Sequence, residues 1–245
     1  MGVRMNILVT NDDGYSEGFK VLMEVARKLG DAYAVIPAKQ MSAVSGALTL
    51  HKPLRLHKRE RDVYEINGTP ADCVLFSCYS KEFEKPDLIL SGINWGDNAG
   101  MGPLLGSGTL GACWQGILEG VPGIGFSRFT THRDWRNKEA WGDLKKMKKL
   151  VLDVSKKLSG KDMEDETFYS VNLPDDLTSP KIVITKNLQK RRFMTQITKK
   201  FDPGGSPYFW VSGKPRGFEK GTDLHEIAVN KNITVTKISL EYFEV

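Results

Sequence analysis

Two aspartates, Asp12 and Asp13, stand side by side in the stretch NILVTNDDGYSEG, separated only by Thr10 and Asn11 from the apolar run Ile7-Leu8-Val9. Adjacent carboxylates repel, and neither belongs in a core without a partner. Two readings accommodate them. In one, a turn carries both and an aspartate caps the following helix; this explains one carboxylate well and a pair poorly. In the other, a hard divalent cation such as Mg²⁺ or Mn²⁺ takes both as oxygen ligands and offsets their repulsion. In open parallel α/β sheets ligands gather at the carboxyl ends of the strands, and the pair falls just past such an end.

Other strand ends supply further polar groups. The loop AKQMSAVSG after Pro37 offers the hydroxyls of Ser42 and Ser45. After Leu90 comes SGINWGDNAGMGPLLGSGTLG, with Ser91, Asn94, Asp97, Asn98, Ser107 and Thr109 set among glycines that let backbone approach a ligand. A helix is predicted from about Gly108. Ser107 and Thr109 then sit at its N-terminus, where free amides and the helix dipole favour phosphate. A flexible glycine loop with an ordinary Ser/Thr cap is the plainer account, yet loops this long inside compact domains are more often functional. The sequence has no Gly-Lys-Ser/Thr after the glycines, no Gly-x-Gly-x-x-Gly in its first turn and no Gly-x-Ser-x-Gly elbow. His51, His57, His132 and His225 are scattered and suit surface or packing roles. A cation at Asp12 and Asp13 beside a phosphate cradle points to metal-assisted phosphoryl hydrolysis. A non-catalytic nucleotide- or phosphate-binding module is the alternative.

The elements that must position these groups follow an α/β pattern. Residues 7–9, 33–36, 87–90 and 123–126 read as short apolar strands, with helical patterns over 18–29, 71–79 and 109–118. Continuous apolar strands alternating with helices predict a doubly wound, mostly parallel sheet, Rossmann-like in three layers. Residues 47–66 alternate in polarity and suggest an antiparallel excursion. A long helix follows, in which Lys145, Lys146, Lys148, Lys149, Lys156 and Lys157 interleave with Trp141, Leu144, Met147, Val151, Val154 and Leu158. A solvated helix face therefore accounts for much of the net charge of +5. Residues 168–173, 181–185 and 233–240 read as later strands. The segment 189–221, rich in Gly, Pro and charge and carrying Tyr208, Phe209 and Trp210, reads as an extended β-hairpin arm protruding from a single domain over 1–245.

Cys73, Cys78 and Cys113 form no Cys-x-x-Cys pair and read as thiols in a reducing compartment. No long uncharged apolar stretch or signal peptide is present, so the expectation is a cytoplasmic protein with no membrane partner. The basic residues Lys186, Lys190, Arg191, Arg192, Lys199 and Lys200 admit a nucleic-acid binder, which ranks below the enzyme and the binding module.

The blocks ILVTNDDG, the Ser42 loop, GTPADCV, SGIN-G-N-G and GSGT-G resemble, in order and spacing, the stationary-phase survival protein E (SurE) family over roughly the first half of the chain. The stretches TKNLQKRRF and YFWVSG, the GTD turn and the final strand match more loosely. The resemblance implies a doubly wound α/β domain and a divalent-metal-dependent nucleotidase. Such proteins release phosphate from nucleoside 5′- and 3′-monophosphates, and some also trim short polyphosphate. It implies one cation, Mg²⁺ or Mn²⁺, held by Asp12, Asp13, Ser42 and Asn94. Asn98, Ser107, Gly108 and Thr109 would hold the phosphate, and residues 68–72 would shape the nucleoside side. One of the two aspartates is alternatively a base or nucleophile. Trp95 stands where the family often has a basic or small residue, which leaves nucleotide preference open. The family's exchange of C-terminal elements implies a homodimer built through the arm. A tetramer is the larger alternative, and the end of the chain soon after its last strand argues against assuming it.

Overall fold

The structure, a computed structural model, describes residues 4–130, 138–159, 163 and 166–243; His132 lies outside them. The first strand, β1 (Asn6–Thr10), sends Ile7 and Val9 into the core on one face and Leu8 into the core on the other. Burial on both faces is why this strand is a continuous apolar run. Helix α1 (Glu17–Leu29) starts at Ser16, whose side chain accepts from the Phe19 amide. It carries Glu17 in its first turn and Arg27 and Lys28 in its last, matching the helix dipole. Next come β2 (Asp31–Pro37), β3 (Leu56–Glu60), β4 (Val63–Ile66), α2 (Pro70–Tyr79) and β5 (Leu88–Trp95). They are followed by α3 (Met101–Gly106), α4 (Gly108–Leu118), β6 (Gly123–Arg128), α5 (Leu144–Leu158) and β7 (Thr167–Leu173). The chain continues through β8 (Ile182–Ile184), β9 (Phe193–Phe201), β10 (Pro207–Pro215), α6 (Asp223–Ala228) and β11 (Ile233–Ser239).

Among the described residues, nine strands form one sheet in the order β3-β4-β2-β1-β5-β6-β7-β11-β8. All neighbours from β4 to β7 are parallel. The edge strand β3 runs antiparallel to β4, and β11 antiparallel to β7, with β8 parallel to β11. Helices α1 and α5 cover one face, meeting Ile7, Val9, Leu88 and Leu90. Helices α2 and α4 cover the other, with Val74 and Ala112 against Leu8 and Ile89. This is the expected three-layer, mostly parallel sheet. The antiparallel excursion is the β3–β4 pair, confined to the second half of the stretch in which it was expected.

Two short helices were not anticipated. The sequence of α3, Met-Gly-Pro-Leu-Leu-Gly, has two glycines and a proline, so its propensity argues against a helix. Helix α6 is only six residues, too short for a period to show, and is marked by its cap Thr222 alone. Strands β9 and β10 make a separate antiparallel hairpin. It exposes Ile197, Phe201, Phe209, Trp210 and Val211.

Strand order reverses at β1, with β2 and β4 on one side and β5 and β6 on the other. The crevice at the carboxyl ends of β1 and β5 is therefore the topological switch point, where this architecture binds ligands.

Candidate active site

Asp12 and Asp13 leave the end of β1 at that crevice and are only 3% and 7% exposed. Their turn is closed by Asn11, whose side-chain nitrogen donates to the Gly14 carbonyl at 2.7 Å and whose oxygen accepts the Gly14 amide at 3.1 Å. The helix cap that follows is Ser16, not an aspartate, so both carboxylates are free of capping duty.

The Thr109 hydroxyl donates to Asp12 Oδ1 at 2.5 Å. Asp13 Oδ2 accepts the Trp95 amide at 3.1 Å, and its Oδ1 accepts from Gln40 Nε2 at 3.2 Å. Among the described residues no Lys, Arg or His forms an ion pair with either aspartate. Burial, and then the charge of Asp13, push the Asp12 carboxyl up to about 7, partly offset by the Thr109 hydroxyl. Burial also raises Asp13, against the pull of the Trp95 amide and Gln40. The pair is thus a buried, electrically unbalanced site.

Helix α4 and the Ser42 loop close over it. A Cβ on Gly108 would stand 2.7 Å from the Met41 carbonyl oxygen and 2.9 Å from Asp12 Cβ. A Cβ on Gly111, one turn on, would stand 2.0 Å from the Ser45 carbonyl oxygen. Glycine at both positions lets the loop lie directly on the helix, a close approach any side chain would block. The loop is pinned at both ends. The Met41 amide donates to the Asp12 carbonyl at 2.7 Å, and the Ser45 amide to the Gly106 carbonyl at 3.1 Å. Ser107 caps α4, its hydroxyl accepting from the Leu110 amide at 3.3 Å. Ser91, on β5, donates to the Thr109 carbonyl at 2.8 Å and fixes the helix start to the strand.

The expected site residues divide into three groups. Asp12, Asp13, Gly108 and Thr109 are brought together directly, and Ser107 is the cap one residue away. Ser42 and Asn94 each neighbour a contact residue, Met41 and Trp95 respectively. Ser42 is exposed, while Asn94 Nδ2 donates to the Gly96 carbonyl at 2.8 Å, which leaves its side-chain oxygen for a ligand. Asn98 is fastened elsewhere: its side-chain nitrogen donates to Ser127 Oγ at 2.8 Å and its amide to Asn172 Oδ1 at 2.7 Å. Ser127 and Asn172, on β6 and β7, thus support Asn98, and sequence reasoning passed them over together with Gln40. All three lie at or just beyond strand ends, so the strand-end rule applied to every strand finds them. In the 68–72 block, Asp72 is occupied by the cap of α2 and by Thr49, accepting from the Thr69 amide, the Thr49 amide and the Thr49 hydroxyl.

A cation fits this donor set. Two buried carboxylates disfavour their own charge, and the neutral oxygens of Asn94 and Ser42 lie on adjoining segments. Among the described residues no cluster of three or more His, Cys, Asp or Glu forms, so a cation here rests on two carboxylates plus neutral oxygens, a hard-ion set.

A sequence profile described as "Survival protein SurE" matches residues 7–195. The 5′-nucleotidase SurE of Thermofilum pendens is 38% identical over 96% of this chain and 91% of its own length. The 5′-nucleotidase SurE 1 of Thermus thermophilus is 36% identical, covering 97% of this chain and 92% of its own. The crystal structure of the SurE protein from Aquifex aeolicus superposes with a TM-score of 0.79 at 33% identity, covering 96% of this chain and 93% of that one. With a carboxylate pair at the switch point and these likenesses along nearly its full length, the chain belongs to the survival protein SurE family.

Proposed function

We propose that this protein is a divalent-metal-dependent 5′-nucleotidase that hydrolyses nucleoside 5′- and 3′-monophosphates to nucleoside and phosphate, and also short polyphosphate. The observation that carries the reading is the buried Asp12–Asp13 pair, without a basic partner among the described residues, packed against the start of α4. The relatives named as 5′-nucleotidases supply the substrate class. Asp12, Asp13, Ser42 and Asn94 would hold one Mg²⁺ or Mn²⁺, which when bound supplies Lewis-acid polarisation of a phosphoryl oxygen and a more acidic water.

The chain's own groups do the rest. The Gly108 amide opens α4 and, with the Ser107 hydroxyl, would bind phosphoryl oxygens as negative charge grows on them, the Ser107 amide being taken by the Pro103 carbonyl. Thr109 orients Asp12 through its 2.5 Å bond, and the Trp95 amide with Gln40 orients Asp13. Either carboxylate would take the proton of the attacking water. Asn98, held by Ser127 and Asn172, would offer the phosphate only the second hydrogen of its side-chain nitrogen, its backbone amide being taken by Asn172.

The working assembly is a homodimer, with a tetramer as the larger form. The 189–221 arm packs on its neighbour through the outer part of its hairpin, because a two-stranded hairpin exposing Phe201, Phe209 and Trp210 gains stability only by covering that surface. Three free cysteines suit the cytoplasm, and among the described residues no helix is long and apolar enough to cross a membrane.

Phosphate release from a panel of 5′- and 3′-nucleotides and short polyphosphate tests the activity. Turnover of 5′-monophosphates is expected, and tight nucleotide binding with no release would indicate the non-catalytic module instead. Light scattering tests the dimer, which a monomeric, active 27.4 kDa particle would contradict.

A further inference from the structure

The basic residues at the root of the arm converge. Lys190, Arg191, Arg192 and Arg216 line one cleft of about 680 Å³ together with Gly100, Gly102 and Pro103. The hairpin root brings them there, since the Arg216 amide donates to the Arg192 carbonyl at 2.8 Å. The root is also tied to the glycine-rich loop. The Met101 amide donates to the Gln189 carbonyl at 3.0 Å, and Asp223 accepts both the Gly100 and Gln189 amides, at 2.5 and 3.0 Å. Arg192 pairs with the buried Asp97 at 2.5 Å, next to Asn98. The cleft therefore abuts the segment that links Asn98 to Ser107.

Among the described residues no Asp or Glu lines the cleft. Asp97 answers Arg192, but among the described residues Lys190, Arg191 and Arg216 have no carboxylate within ion-pair distance. Three unmatched cations on one concave surface repel one another and focus a positive field that an anion relieves. Phe193, 46% exposed, and Met194 add apolar side chains to the same cleft. Cations that track a backbone beside an aromatic face on which a base stacks are how proteins hold single-stranded nucleic acid.

We propose that this cleft takes the phosphodiester extension of a short single-stranded oligonucleotide whose terminal phosphate occupies the Asp12–Thr109 site. The proposal rests on the phosphatase reading above. The chemistry is that of the mononucleotide reaction. Water's oxygen bonds to phosphorus, the terminal P–O ester bond breaks, and the leaving 5′-oxygen takes a proton that the water gives up, yielding phosphate and an oligonucleotide of the same length with a 5′-hydroxyl.

The test compares kcat/KM for a 5′-phosphorylated dinucleotide with that for the matching nucleoside 5′-monophosphate, at low and raised KCl. Two or three exposed cation contacts are expected to favour the dinucleotide by about tenfold at low salt. That ratio should fall as salt rises, because the longer substrate engages more cations. In a K190S/R191S/R216S variant the ratio should drop toward one. A wild-type ratio at or below one at low salt, or one indifferent to salt, overturns the proposal and does not depend on the variant folding. A ratio the variant leaves intact overturns it too. Failure to release phosphate from the mononucleotide would instead strike the phosphatase reading.

Discussion

Asp12→Asn should make the metal-free protein more stable while removing its activity. The substitution keeps size and shape, and an asparagine oxygen can still accept the Thr109 hydroxyl. What it removes is a buried charge. In the folded chain the Asp12 carboxyl is raised from 3.8 to about 7. Between those values the native state binds a proton that the unfolded chain has lost, so stability falls as pH rises through this window and the full penalty persists above it. A shift of about three units, at about 1.4 kcal/mol each, gives a penalty of about 4 kcal/mol. The Thr109 bond weakens by about 1 kcal/mol when its acceptor loses charge. The variant should therefore gain about 3 kcal/mol at about pH 8 in chelator, raising Tm by roughly 6–12 °C for a chain of this size. Below about pH 4 the gain should vanish, since both forms are then neutral. Urea or thermal denaturation in chelator at the two pH values is the assay, and adding Mn²⁺ should raise the wild type and not the variant. A variant less stable than wild type at pH 8 without metal would refute the reasoning, because it would mean the carboxylate is not strained by burial.

Three further outcomes follow from single contacts. Gly108→Ala puts a methyl 2.7 Å from the Met41 carbonyl oxygen and against Asp12, so it should cost about 1–3 kcal/mol in denaturation and displace the Ser42 loop, lowering kcat/KM. Thr109→Val removes the hydrogen bond that holds the Asp12 carboxyl down, so NMR titration of the metal-free protein should find that carboxyl higher still than in the wild type. Arg192→Met leaves the Asp97 carboxylate, whose side chain is 1% exposed, buried and alone, at a cost of about 3–5 kcal/mol. Adding Asp97→Asn should recover much of that loss; a double variant no better than the single would show that the pair is not coupled.

The sheet was legible because its strands are short, apolar and separated by helices of clear period, as with Ile7-Leu8-Val9 ahead of α1. The edges were harder to read. Helix α3 is built from residues of poor helix propensity, and its start is anchored by amides that donate to the Gln189 carbonyl and the Asp223 carboxylate, which no local pattern encodes. In the site, the aspartate pair announced itself because two adjacent carboxylates demand an explanation. Gln40 and the Trp95 amide did not, since a glutamine in a loop is common and a backbone amide leaves no trace in sequence. Asn98 stood out by its place among glycines, but its fastening to Ser127 and Asn172, on strands distant in the chain, left no local trace. The long-range geometry that turns Gly108 and Gly111 into a seat for the Ser42 loop is likewise invisible until the helix and loop are placed together.

Phosphate release from a nucleoside 5′-monophosphate, measured in excess chelator and again after restoring Mg²⁺ or Mn²⁺, tests the central claim most directly. Release should cease in chelator, return with the metal in the wild type, and stay absent with the metal in folded Asp12→Asn and Asp13→Asn variants. Full turnover in chelator, or wild-type turnover by both variants, would contradict a metal-dependent reaction seated on the aspartate pair.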